Sequence, residues 1–257
     1  MRKFLDYHKD AIKIVAHNSV NAFTAATVVS MLPVAVSHVP GVRMLAPLVQ
    51  MLMWPFGDAY MCAFVDAVRG QKVDFFKTTW NEGKKHYSSF ILIELIMHFL
   101  TKLVKTALFL IPGLRWIGKC FSKLRPQFLV LPRYLIHDNP QLSVGDSLKL
   151  GWDIVKRHPW MFTFLILSAQ CIITVLFQPL IWTLRLIALI PTCTPVLVPV
   201  IIVLKILKSL SYSVYISALL SLYYIDLKAE SDECNEQISN SIDSIHEVPV
   251  VEVNQIS

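Results

Sequence analysis

Apolar residues gather into five long blocks, residues 19 to 39, 44 to 68, 90 to 114, 160 to 190 and 196 to 225, separated by charged or proline-bearing breaks. Each is about 20 residues or longer, enough helix to cross roughly 30 Å of hydrocarbon at 1.5 Å per residue. The pattern predicts transmembrane helices. Only Pro40, Gly41, Val42 and Arg43 lie between the first two blocks, which forces an antiparallel helical hairpin. From Ser143 the pattern changes. Ser143 and Asp146 have capping-box spacing, and Val144, Leu148, Trp152 and Val155 then recur at helical intervals. This predicts a short amphipathic helix over residues 143 to 158, lying along the cytoplasmic interface. Pro191, Pro195 and Pro199 predict an irregular or kinked connection, and Tyr223 and Tyr224 close the final block at interface depth.

Composition agrees with the blocks: 54% of the 257 residues are hydrophobic and 16% charged, against about a quarter charged in soluble proteins. Charge is unevenly placed. Of 24 basic and 18 acidic residues, the stretch from Asp226 to Ser257 holds eight acids and one lysine, so the rest of the chain carries an excess of 13 positive charges. The acidic tail has too little apolar content to fold alone and is predicted to be disordered. A basic body suits anionic lipid head groups. Nucleic acid is not expected as a partner, because the basic residues sit in short loops beside apolar blocks. Cys62, Cys120, Cys171, Cys193 and Cys234 form no C-x-x-C pair, so neither a disulfide framework nor a zinc site is indicated. Residues 1 to 18 read as a cytoplasmic segment without a removable signal peptide, the first span acting as insertion signal.

Basic loops stay on the cytoplasmic side, and Arg2, Lys3, Lys9 and Lys13 precede the first span while Arg69, Lys72, Lys77, Lys84 and Lys85 follow the second. The next loop, from Arg115 to Arg157, is also basic. Two crossings between these loops reconcile them, the first through residues 90 to 110 and a return through residues 116 to 136. That return is too charged to face lipid alone and has to pack against neighbouring helices or form a re-entrant segment. The predicted architecture is an all-α polytopic bundle of about six spans, five being the alternative, with both termini cytoplasmic and a membrane domain over residues 19 to 225.

The order of features resembles a family of uncharacterised multi-pass membrane proteins of bacteria, described mainly from Gram-positive species and known only as a domain of unknown function. The resemblance rests on Ile111-Pro112-Gly113-Leu114, Tyr134-Leu135-Ile136-His137-Asp138-Asn139-Pro140, Ser147, Lys156-Arg157-His158-Pro159-Trp160, Leu167-Ser168 and Tyr223-Tyr224-Ile225-Asp226-Leu227. It spans about residues 45 to 227, with additional residues between Gly113 and Tyr134 and before the final span. It implies a bundle of about six helices in a bacterial cytoplasmic membrane and brings no known activity.

Glu94, His98, Lys102 and Lys105 share one helical face in the third block. Ionisable groups inside a span cost several kcal/mol unless they face protein, water or the interface. Glu94 and His98 are therefore candidates for a proton relay or ion site, an amphipathic face packed on the bundle being the structural alternative. Asp58, Cys62 and Asp66 form a second stripe. Asp66 suits a local ion pair with Arg69, and Asp58, after Pro55, suits either a ligand site at a helix break or a cap on freed amides. Gln170, Thr174 and Gln178, and Ser209, Ser213, Ser217 and Ser221, repeat every four residues and suit helix packing. Asp138-Asn139-Pro140 reads as a turn. Lys149, Lys156, Arg157 and His158 are candidate lipid head-group contacts, or a positive-inside cluster at a helix end. No Walker-type loop, G-x-S-x-G or H-E-x-x-H motif is present, so neither enzyme chemistry, cofactor nor metal is expected. The expected role is a non-enzymatic membrane component that organises or supports other membrane proteins or lipids, alone or as a homo-oligomer. The alternative is a small-solute or ion transporter using Asp58 and Glu94/His98.

Overall fold

The computed structural model describes residues 2–39, 41–110, 130–188 and 194–246. Every regular element among them is a helix: α1 (Phe4–His38), α2 (Ala46–Val68), α3 (Phe75–Lys85), α4 (Tyr87–Leu110), α5 (Val130–Asp138), α6 (Val144–Arg157), α7 (Pro159–Ile187) and α8 (Thr194–His246). Four stretches are long and apolar enough to cross a membrane: Phe4–Ser37, Arg43–Val68, Trp160–Ile187 and Thr194–Asp232. Where the sequence predicts about six spans, four such stretches stand among the described residues. The third apolar block forms α4, whose 24 residues include Glu94 and Lys102, and most of the expected return through residues 116 to 136 lies outside the described residues.

The hairpin between the first two blocks forms as the spacing requires. Gly41 adopts φ +86°, a left-handed conformation that glycine reaches without steric cost, and a 3-10 turn over Arg43–Leu45 leads into α2. Helix α1 packs on α2 and α8, and α7 packs on α8. The inner faces of α1 and α2 are built from small residues: Ala22, Ala25, Ala26, Ala59 and Ala63 are buried and allow close approach. Outward faces carry large apolar side chains, among them Val20, Leu52, Phe99, Trp160, Val175 and Leu176, all exposed. An apolar exterior around a core containing Asp58, Arg133, Ser217 and Ser221 is the arrangement a lipid environment favours.

Several boundaries differ from the sequence reading. Helix α1 begins at Phe4, because Tyr7 and Ala11 are fully buried and continue the packing face into the segment expected to precede the span. Helix α8 starts at Thr194 with Pro195 in its first turn, where the missing N–H has no intrahelical partner to lose, and Pro199 lies inside it, so the connection expected to be irregular or kinked is helical from Thr194, while Pro191 lies outside the described residues. The same helix runs to His246, 53 residues or about 80 Å, through much of the tail predicted to be disordered. Tyr223 and Tyr224, expected to close the final block, are fully buried inside the bundle.

Helix α3 has no counterpart in the sequence reading. Asp74 caps it by accepting a hydrogen bond from the Lys77 amide, and its buried face includes Phe75 and Thr79. The amphipathic helix expected from Ser143 is α6, whose cap forms as the spacing predicts: Ser143 Oγ accepts from the Asp146 amide at 3.1 Å. A Cβ on Gly151 would lie 2.8 Å from the Pro132 ring, so the glycine is what lets α6 close on α5.

Candidate functional site

Four polar residues of α5, Arg133, Tyr134, His137 and Asp138, sit at i, i+1, i+4 and i+5, which places two on each of two adjacent helix faces. Their partners come from α2, α3, α4 and α8, as well as from residues flanking these helices, and the short helix becomes the hub of the bundle's charge.

Arg133 is 2% exposed. Its Nε lies 3.1 Å from Asp58 Oδ1 on α2, and its Nη2 donates to Glu94 Oε1 on α4. Asp58 Oδ2 is buried with no hydrogen-bond partner, as is the Tyr60 hydroxyl. This triad forms the inner end of a cavity of about 580 Å³ bounded mainly by α1 and α2, with Glu94, Arg133 and Ser213 entering from α4, α5 and α8. From Ala26 to Ser37 on α1 the cavity extends about 16 Å toward the hairpin connection, past Ser30, Gln50 and Trp54.

The second arrangement lies one turn along α5. His137 Nε2 is 3.2 Å from Asp66 Oδ1 and its Nδ1 is 3.1 Å from Glu82 Oε2, which is also 3.4 Å from His86 Nε2. Burial pushes the His137 pKa down, but the Asp66 hydrogen bond and the charges of Asp66 and Glu82 outweigh it and hold the imidazolium above the ordinary histidine value. His86 goes the other way: burial lowers it, with Lys85 and His137 adding to that against Glu82. The signs oppose. Stability from protonated His137 is present below about pH 6.5 and lost as pH rises through its raised folded value, whereas stability tied to neutral His86 is lost as pH falls below about 6.5. Thermal unfolding across pH 5 to 9 should show an optimum between these limits. His137→Gln should flatten the alkaline limb by about 1–2 kcal/mol and His86→Gln the acid limb. An alkaline limb unchanged in His137→Gln would remove this residue from the coupling.

The third arrangement ends α5. Asp138 accepts two hydrogen bonds from Arg69, at 2.8 and 2.7 Å, and one each from Lys228 Nζ at 2.6 Å and the Tyr224 hydroxyl at 2.8 Å. Close by on α8, Asp226 accepts from Tyr7 and from the Arg2 amide, and Ser221 donates to the Tyr134 hydroxyl. Farther along, His8 joins Tyr215 and Ser168.

Asp58 and Glu94, which the sequence sets on separate stripes, meet through a third residue, Arg133, which contacts both. The Glu94/His98 pair is divided in its contacts: Glu94 engages Arg133, while the His98 ring lies 5.7 Å from that of Trp54. Lys102 is exposed on α4, outside the triad. Asp58 does not cap amides freed at Pro55, and Asp66 and Arg69 do not pair with each other; both are drawn to α5 instead. Of the candidate head-group contacts, Lys149, Lys156 and Arg157 are exposed on α6, whereas His158 Nε2 lies 3.3 Å from Glu230 Oε1. Sequence reasoning misses Arg133, His137 and Asp138 as partners because each stands beside an ordinary turn or inside a stretch whose charge argues against burial. Unpaired acids at 58, 66 and 94 are the available signal, since buried carboxylates require a cation supplied from elsewhere in the chain.

Comparison with protein-family models, curated proteins and solved structures finds no match to this chain.

Proposed function

We propose that this chain is a multi-pass integral membrane protein whose cavity between α1 and α2 exchanges a proton for a monovalent cation at Asp58 and Glu94. The observation that carries the reading is the charge of the cavity's inner end: two carboxylates face one guanidinium, and Asp58 Oδ2 is buried without a partner. With both acids ionised the triad holds one uncompensated negative charge in a low-dielectric setting, which a bound proton or a bound cation neutralises. Cation entry and proton departure then balance in charge. Asp58 lies midway along α2, about 18 Å from the helix start, the depth at which transporters hold their substrates.

An even number of crossings, with the N-terminus and the end of α8 on the cytoplasmic side of a bacterial membrane, is part of this proposal. It is supported by the Arg2–Asp226 ion pair at 3.1 Å, which joins the start of α1 to the end of the last span, and by the basic residues gathered there. In this orientation α4 and α5 stand between the second and third of the long apolar stretches, and α6 lies along the interface.

The test uses the full chain in liposomes loaded with a pH-sensitive dye. An inward gradient of sodium, potassium or tetramethylammonium is expected to drive proton release, and Asp58→Asn or Glu94→Gln to reduce the rate to that of empty liposomes while the protein stays folded. Wild-type rates equal to empty liposomes for all three cations would overturn the proposal. A second reading, a component that organises other membrane proteins, is favoured by one observation: α8 continues to His246, well past Asp226, which pairs with Arg2 at the start of α1. Crosslinking through Cys234 in intact membranes should then recover a defined partner or a second copy.

A further inference from the structure

A second cavity, of about 320 Å³, lies between α7 and α8 and has the opposite character from the first. Its polar lining includes Gln170, Gln178, Arg185, Lys205, Lys208 and Ser209, with no acidic residue. Lys208 Nζ donates to Gln178 Oε1 at 3.0 Å, a bond that does not use the Gln178 amide N–H groups. Among the described residues no carboxylate pairs with Arg185, Lys205 or Lys208. Three cations and several neutral donors thus share one concave site.

The surroundings are apolar. Trp182, Leu186, Ile202, Val203 and Leu207 are exposed around the three basic residues. From Gln178 to Arg185 the rise along α7 is about 10 Å, and from Lys208 to Lys205 along α8 about 5 Å, so the polar lining extends over about the length of one head group. Cations inside an apolar collar need either an escape to water along their own side chains or an anion brought to them. Two lysines and a guanidinium around a donor-rich hollow match a phosphate: the guanidinium offers paired donors to two oxygens and the ammonium groups act as point charges.

We infer that the α7/α8 cavity is a phosphate-binding site, occupied by the phosphodiester of an anionic lipid. The collar favours this source over free phosphate because acyl chains would cover Trp182, Leu186 and Leu207 while the head group meets Arg185 and Lys205. The site is distinct from the basic face of α6 and independent of the cation exchange proposed for the first cavity.

The experiment is native mass spectrometry of the full chain released from nanodiscs of equal phosphatidylglycerol and phosphatidylcholine. The wild type is expected to retain phosphatidylglycerol preferentially, and Lys205→Gln/Lys208→Gln to lose that preference by about thirtyfold. Lys205→Arg/Lys208→Arg should keep it. Lys72→Gln/Lys77→Gln removes the same charge from positions outside this cavity and should leave retention unchanged. Millimolar inorganic phosphate distinguishes the sources: displacement of bound lipid would show that the site also takes the free anion, and no displacement that it takes the lipid alone, both with the site upheld. Equal retention of the two lipids by the wild type, or equal losses in the Lys72/Lys77 variant, would overturn the inference.

Discussion

Replacing Arg133 with methionine is expected to lower the stability of the folded bundle by about 3–5 kcal/mol, the usual consequence of removing one partner from a buried ionic group. Its side chain is 2% exposed and that of Asp58 6%, so neither can turn to water to recover solvation. The variant leaves Asp58 and Glu94 facing each other without a counter-charge. Protonation of one or both then becomes the least costly state, and unfolding of the variant should respond to pH more steeply than that of the wild type. The triple variant Asp58→Asn/Glu94→Gln/Arg133→Met removes the charges together. It should recover most of the lost stability, because neutral side chains of similar volume need no ion pairing. It should not recover cation-driven proton release, and that separates the fold's use of the triad from its chemistry. A thermal unfolding series in detergent, beside the liposome assay, checks both. Equal destabilisation of the single and triple variants would mean that packing of the Arg133 stem, and not its charge, holds α5 in place.

The long apolar helices are legible in the chain because their signal is local. Runs such as residues 44 to 68 and 160 to 190 are long enough to cross a bilayer, and the short connection at Pro40 leaves the hairpin no other geometry. The Ser143 cap is legible for the same reason, since donor and acceptor lie close together in the chain. The charge pairing is not local. Asp58 on α2 finds its cation at Arg133 on α5, and Arg69, just past α2, finds its carboxylate at Asp138 on the same distant helix. Spacing rules reward the nearer partner, which is why they match Asp66 to Arg69 and Glu94 to His98. The continuation of α8 escapes them because low apolar content argues against independent folding, whereas a helix already nucleated by a packed span extends at little cost per residue. His8, Ser168 and Tyr215 give no periodic signal at all, and only the packing of α1, α7 and α8 brings them together.

Asp138→Asn is the second large expected effect, and its pH dependence tests the cause. Burial alone would raise this carboxyl, but the hydrogen bonds from Arg69, Lys228 and Tyr224, with the Arg69 charge, overcome it and hold the group well below the usual carboxylate range. The folded value lies below the unfolded one. Its contribution to stability is therefore complete above about pH 4 and is lost as pH falls through the folded value. Arg69 and Lys228 are each about a third exposed, so solvent screens part of their attraction, and the expected loss in Asp138→Asn at neutral pH is about 2–3 kcal/mol. Below pH 4 the variant and the wild type should converge. Because Asp138 joins the residue that follows α2 to the end of α5 and to α8, the loss should appear as separation of these elements, with faster amide exchange near Leu135 and Leu227 than near Ala25. A deficit that persists undiminished to pH 2 would assign the effect to altered packing of the turn at Asn139 and Pro140. Convergence would instead show that the ionised carboxylate ties the three helices at this end of the bundle, which keeps Arg133 in register with Asp58 and Glu94.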